Sequence, residues 1–142
     1  MALRLAAAKA MIDHPRVKVT DIEDQLRSQY TADTIAHLQR LYPSVRFVWL
    51  MGADNLAQFH RWQNWRGIAE AVPIAVIARA GQRLGARRSK AAKTYRNQRI
   101  KGRAGRLLGS KAAPAWTYQN IPMLNLSSTE IRARGRWHLD ED

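Results

Sequence analysis

Four short stretches of this chain combine residue types that could hold a phosphorylated ligand. In Leu50-Met51-Gly52-Ala53-Asp54-Asn55, a glycine directly follows an apolar run and an aspartate stands two residues later. The glycine lets a ligand approach the backbone with no Cβ in its way, and the carboxylate can accept hydrogen bonds from sugar hydroxyls. The ordinary alternative is a turn whose aspartate caps the next helix. In Phe59-His60-Arg61-Trp62-Gln63-Asn64-Trp65, two tryptophans lie three apart, so on a helix they would be neighbours. An indole face can stack on a planar ring. Core packing is the competing role, and for Trp65 the better one. Ser127-Ser128-Thr129 opens a short helix that reaches Arg132. Free N–H groups, hydroxyls and a guanidinium one turn on make a phosphate cradle there, though an ordinary capped helix starts the same way. Ser28-Gln29-Tyr30-Thr31-Ala32-Asp33-Thr34 is a second candidate helix start, equally consistent with capping alone.

The elements that must position these residues follow from periodicity. Ala2–Ile12 reads as a helix with Leu5, Ala8, Met11 and Ile12 on one side, stopped by His14-Pro15. Arg16–Thr20 alternates like a short strand, and Asp21–Gln29 is polar connection. Thr31 is placed as the N-cap of a helix carrying Ile35, Leu38 and Leu41 on one face. Val45–Met51 is almost continuously apolar and reads as a central strand buried on both faces. Leu56–Val72 reads as one helix, Ile74–Ala78 as an apolar strand, and Ala115–Tyr118 as a short strand, with a helix possible around Ser89–Arg99. Strands alternating with helices predict an α/β fold, a parallel sheet with helices on both faces. Such sheets bind ligands beyond the carboxyl ends of their strands, where Gly52 and Asp54 fall.

The 142 residues suit one domain spanning 1–142. Hydrophobic residues make up 46 %, too many for a disordered chain, and no apolar run is long enough to cross a membrane. The chain has no cysteine, which excludes thiolate nucleophiles and Cys-ligated zinc and is compatible with the cytoplasm. His14, His37, His60 and His138 show no metal-ligand spacing. The net charge is +13, and it is uneven: no Asp or Glu occurs between Ala71 and Thr129, while Arg79–Lys111 holds twelve of the twenty-four Lys and Arg. Residues 81–114 therefore read as a basic insertion, either solvated or attractive to polyanions.

Taken in order, the motifs resemble those of bacterial nicotinate-nucleotide adenylyltransferases. The matching segments are Gln29-Tyr30-Thr31-Ala32-Asp33-Thr34, Gly52-Ala53-Asp54, Leu56-Ala57-Gln58-Phe59-His60-Arg61-Trp62 and Leu126-Ser127-Ser128-Thr129-Glu130-Ile131-Arg132. The resemblance implies a Rossmann-like, doubly wound nucleotidyltransferase fold. It implies adenylyl transfer from ATP to nicotinate mononucleotide in NAD biosynthesis, with Mg²⁺ escorting the triphosphate. It assigns Tyr30, Thr31, Thr34 and Trp62 to the nicotinate nucleotide, with Trp62 stacking on the pyridine ring. Gly52, Asp54, Ser127, Ser128, Thr129 and Arg132 go to ATP.

The resemblance also marks a departure. That family opens with a strand and a Gly-x-Phe-x-Pro-x-His-x-Gly-His loop whose histidines are the main catalytic groups, and no such motif occurs here. The expectation is a domain incomplete at its N-terminus, lacking the first strand and the catalytic histidines. It would have little or no activity and apolar strand edges that invite association. Two alternatives stay open. One is a basic module binding RNA or another polyanion through residues 79–111. The other is a remnant that binds nucleotide without catalysis.

Overall fold

The computed structural model describes residues 2–12, 14–78 and 83–120. Chain contacts gather into two compact units, one holding residues up to Arg27 and one spanning Ser28–Met123. The first contains α1 (Ala2–Met11) and the single turn α2 (Ile22–Gln25). Leu5 and Ala8 are half-buried, but Met11 and Ile12 of the expected apolar face are exposed. The expected strand at Arg16–Thr20 does not form. Arg16 lies in a turn closed by the Val17 amide donating to the His14 carbonyl, Val17 is exposed, and no described strand pairs with residues 16–20. Alternation gives a strand its face, but only a ladder partner makes it a strand. Part of the expected polar connection is instead α2, where the Gln25 amide donates to the Asp21 carboxylate one turn back.

The second unit is built on a parallel sheet. Its strands are β1 (Trp49–Gly52), β2 (Ile74–Ala78), β3 (Arg99–Ile100) and β4 (Trp116–Asn120), in the order β1-β2-β4-β3. All three pairings are parallel. The register puts Met51, Val76 and Tyr118 side by side on one face. That face, with Ile74, Ala78 and Trp116, joins Leu56, Phe59, Ile68, Ala91 and Ala92 in one apolar core. The helices supplying it are α4 (Ala53–Gln58), α5 (Trp65–Ala71) and α7 (Lys90–Thr94), with α6 (Arg83–Arg87) beside α4. α3 (Thr31–Leu41) packs on α5 and contributes Ile35. On the opposite face a 3₁₀ helix, Gly102–Ser110, lies so close to β4 that a Cβ at Gly105 would collide with the Thr117 and Gln119 side chains.

Two of the expected elements change. The apolar run Val45–Met51 is not a central, doubly buried strand. Only Trp49–Gly52 pairs, and β1 forms the edge of the described sheet with Leu50 at 64 % exposure. Apolar composition predicts that both faces can be covered; it does not say how many neighbours a strand finds. The expected helix Leu56–Val72 is broken as well. α4 tightens into a 3₁₀ turn at Phe59–Arg61, Trp62 is extended, and Asn64 takes a left-handed conformation (φ 49°) that starts α5. Asparagine tolerates this region better than most residues. Its side chain lies over Gly67, where any Cβ would strike it.

The basic stretch is woven into the fold. It supplies α6, α7, β3 and the 3₁₀ helix, and it buries Ala86, Ala91, Ala92 and Leu108. The helix expected around Ser89–Arg99 is shorter, Lys90–Thr94. Ser89 caps it by accepting from the Ala92 amide at 3.2 Å.

Candidate functional site

Parallel topology brings the described sequence candidates to the carboxyl side of the sheet. A helix that feeds the amino end of a parallel strand must start at the sheet's carboxyl side. α3 feeds β1 and α5 feeds β2, so both run down toward the amino ends of the strands. The Gln39 side chain near the end of α3 donates to the carbonyl of Ala71, the last residue of α5, at 2.9 Å. This ties the two lower ends together. The starts of both helices, Tyr30–Thr31 and Trp62–Trp65, therefore lie on the carboxyl side with Gly52 and Asp54.

Gly52 ends β1 and is the N-cap of α4, with φ −74° and ψ 160°. That backbone suits any residue, so its need for glycine is steric. A Cβ at position 52 would run into the Asp54 carboxylate, which folds back over the turn. Asp54 sits in the first turn of α4, exposed, and is not the N-cap. Capping does not account for it, and the helix dipole favours a carboxylate at that place.

Trp62 is half-buried, its ring edge-on to Phe59 at 5.4 Å. Trp65 meets the same phenylalanine at 5.9 Å and Tyr95 at 5.9 Å on its other side. Trp65 is thus a core residue, as expected. Phe59, 1 % exposed, is the post on which both indoles rest. Sequence spacing missed that role, because the two tryptophans were placed on one continuous helix. His60 presents a buried Nδ1 with no partner among the described residues.

At the start of α3 the N-cap is Tyr30, one residue before the expected Thr31. Its carbonyl accepts from the amides of Asp33 (3.0 Å) and Thr34 (3.2 Å). Thr31 is then the first helical residue, half-buried, while the Tyr30 ring is exposed. Thr34 is buried and its hydroxyl is 2.6 Å from that of Ser28. It locks the entry to the helix, and Tyr30 and Thr31 are the members left facing outward. Ser127, Ser128, Thr129 and Arg132 lie outside the described residues. The described residues contain no group of three or more His, Cys, Asp or Glu able to hold a metal ion. None of the described helices is long and apolar enough to cross a membrane.

Residues 2–134 match the Cytidylyltransferase-like family. A relative from Ruegeria sp. (strain TM1040), a probable nicotinate-nucleotide adenylyltransferase, is 56 % identical over 137 residues, covering 96 % of this chain and 72 % of its own length. One of the same description from Ruegeria pomeroyi is 60 % identical over 134 residues, covering 94 % of this chain and 63 % of the relative. Among solved structures, the Plasmodium falciparum nicotinic acid mononucleotide adenylyltransferase complexed with APC superposes with a TM-score of 0.54 at 19 % identity. The match covers 83 % of this chain and 50 % of that one. At that identity the likeness speaks for the parallel α/β fold alone.

Proposed function

Because this chain belongs to the nicotinate-nucleotide adenylyltransferases, within the Cytidylyltransferase-like family, we propose that it serves adenylyl transfer from ATP to nicotinate mononucleotide. The products are nicotinate adenine dinucleotide and pyrophosphate. The chain spans 63 % and 72 % of the two Ruegeria relatives, and the activity proposed is that of the whole protein. The observation that carries the reading is the Gly52–Asp54 turn at the carboxyl end of a parallel strand, with an exposed acid that caps nothing. This is the place where open α/β sheets bind ligands.

In this reading Asp54 accepts from the ribose of ATP, and Gly52 keeps the turn tight enough for it to do so. Ser127, Ser128, Thr129 and Arg132 hold the ATP phosphates through amides, hydroxyls and one guanidinium. Trp62 offers its open face to the pyridine ring, with Phe59 fixing the indole from behind. Tyr30 and Thr31 border the same pocket, with Thr34 holding its wall. The nucleotide phosphate attacks the α-phosphorus of ATP, and the pyrophosphate group leaves. Such a step rests on positioning and charge stabilisation, with no covalent enzyme intermediate. Mg²⁺ fits this site only as a companion of ATP. The described residues offer no cage of three ligands, and magnesium is commonly bound through substrate phosphates and water with one or two carboxylates. Bound in that way, it neutralises triphosphate charge. The reading places the reaction in the cytoplasm.

The test is a titration of nicotinate mononucleotide into the chain by calorimetry, with tryptophan fluorescence followed in parallel. Saturable quenching that disappears in Trp62→Ala is the expected result. A folded chain that shows no binding removes the pocket.

A further inference from the structure

Two arginines converge on one aromatic ring without a counter-charge among the described residues. The Arg87 guanidinium, at the end of α6, stands 5.9 Å from the Tyr118 ring centre. That of Arg99, at the start of β3, stands 5.7 Å from the same ring and 5.3 Å from that of Trp116. Neither arginine makes an ion pair among the described residues, and Arg99 has a buried Nε with no acceptor. The sequence carries no Asp or Glu between Ala71 and Thr129. The two cations feel each other: burial first, and then Arg87, pull the Arg99 pKa below its ordinary value. Arginine nonetheless remains charged in proteins. Among the described residues, β3 pairs with β4 only at Trp116 and Thr117.

The aromatic faces attract each guanidinium, but the two like charges repel, and an anion between them would relieve that repulsion. We infer that Arg87 and Arg99 form an anion clamp for a diphosphate group, free or as the terminal phosphates of a nucleotide, distinct from the Gly52–Asp54 turn. Two guanidinium forks suit two phosphoryl groups, each taken bidentately, whereas one fork suffices for a carboxylate or monophosphate. Trp116 and Tyr118 are buried and cannot stack bases, so a small anion fits better than RNA. The clamp rests on this geometry and not on the adenylyl-transfer reading.

Calorimetric titration of inorganic pyrophosphate tests it, because Arg87 is exposed and Arg87→Ala leaves the fold intact, as a melting curve will verify. Pyrophosphate should bind the wild type, at least tenfold more weakly in Arg87→Ala, and to an intermediate degree in Arg87→Lys, which keeps the charge but loses the fork. A parallel ATP titration identifies the source. Loss of ATP affinity in Arg87→Ala assigns the clamp to nucleotide phosphates, and unchanged ATP affinity assigns it to free pyrophosphate. Equal pyrophosphate affinity in wild type and Arg87→Ala overturns the inference. So does absence of binding by the folded wild type at roughly millimolar ligand, or a loss confined to Ser127→Ala/Ser128→Ala. Preference for an RNA oligonucleotide, with a steep salt slope and no special sensitivity at Arg87, overturns it in favour of a diffuse basic surface. The Trp62 fluorescence response to nicotinate mononucleotide reads the other site separately, so either reading can fail alone.

Discussion

Gly52→Ala should damage nucleotide binding while sparing the fold, and it should do so through Asp54. A methyl group at position 52 meets the Asp54 carboxylate and nothing else within contact distance. The obstacle is the end of a flexible side chain, so Asp54 rotates away at a cost of about 0.5–1.5 kcal/mol if it leaves its rotamer. Against this, φ of −74° suits alanine, and replacing glycine stabilises by about 0.4–1 kcal/mol through the unfolded chain. The terms nearly cancel, and the melting temperature should move by less than about 4 °C for a chain of this size. ATP affinity, in contrast, loses a hydrogen bond to a charged acceptor, roughly a tenfold weakening. The decisive assay is a double-mutant cycle of Gly52→Ala and Asp54→Ala read by ATP calorimetry. If Gly52 acts by letting the carboxylate fold back, Gly52→Ala costs nothing further once Asp54 is alanine. An equal loss in both backgrounds refutes that argument and means that the Cβ obstructs the nucleotide directly. Unchanged ATP affinity in both single variants refutes the site.

Phe59→Ala should cost about 3–5 kcal/mol, since the ring is 1 % exposed and carries Trp62 and Trp65 on its edges; urea unfolding measures it, and near-ultraviolet circular dichroism should lose tryptophan signal. Gly105→Val should destabilise by about 1–3 kcal/mol through overpacking against Thr117 and Gln119, seen as a lower urea midpoint with ligand binding through Trp62 retained. Tyr95 should deprotonate later than an ordinary tyrosine. Burial raises its pKa, and its hydroxyl, 3.2 Å from the Glu70 carboxylate, adds to the rise. A raised folded pKa gives stability that is whole below the usual value near 10 and lost as pH climbs through the folded value. Spectrophotometric titration should find Tyr95 ionising late, and earlier in Glu70→Gln.

The features most legible in the sequence were those set by local rules. β2 occupies the expected Ile74–Ala78, and α3 begins within one residue of its expected start, because each is bounded by proline, a polar cap residue or a change of period. The break inside Leu56–Val72 was invisible, since Trp62-Gln63-Asn64 carries no proline or glycine. The turn rests on Asn64 accepting a left-handed backbone and on Gly67 leaving room for its side chain. The edge position of β1 was equally hidden, because composition describes a strand's faces and not its neighbours. The Arg87–Arg99 approach joins residues twelve apart through the ring of a third, a contact that no spacing rule anticipates.

Topology supplies what the motifs alone could not. Read singly, a glycine after a strand, a tryptophan in a helix and a threonine at a helix start each have a commonplace structural use. In a parallel sheet every helix returning to a strand must begin on the carboxyl side. Any ligand-binding residue placed at such a start therefore joins the others, whatever lies between them in sequence. Tyr30, Thr31 and Trp62 share the carboxyl side of the sheet with the turn at Gly52 by that rule, through two helices tied at their far ends by Gln39 and Ala71. The proposed pocket would thus depend on a contact at the opposite end of the strands. Gln39→Ala should loosen the α3–α5 pair and weaken nicotinate mononucleotide binding although position 39 touches no ligand. If that variant binds as tightly as wild type, the two helix starts are held by core packing alone.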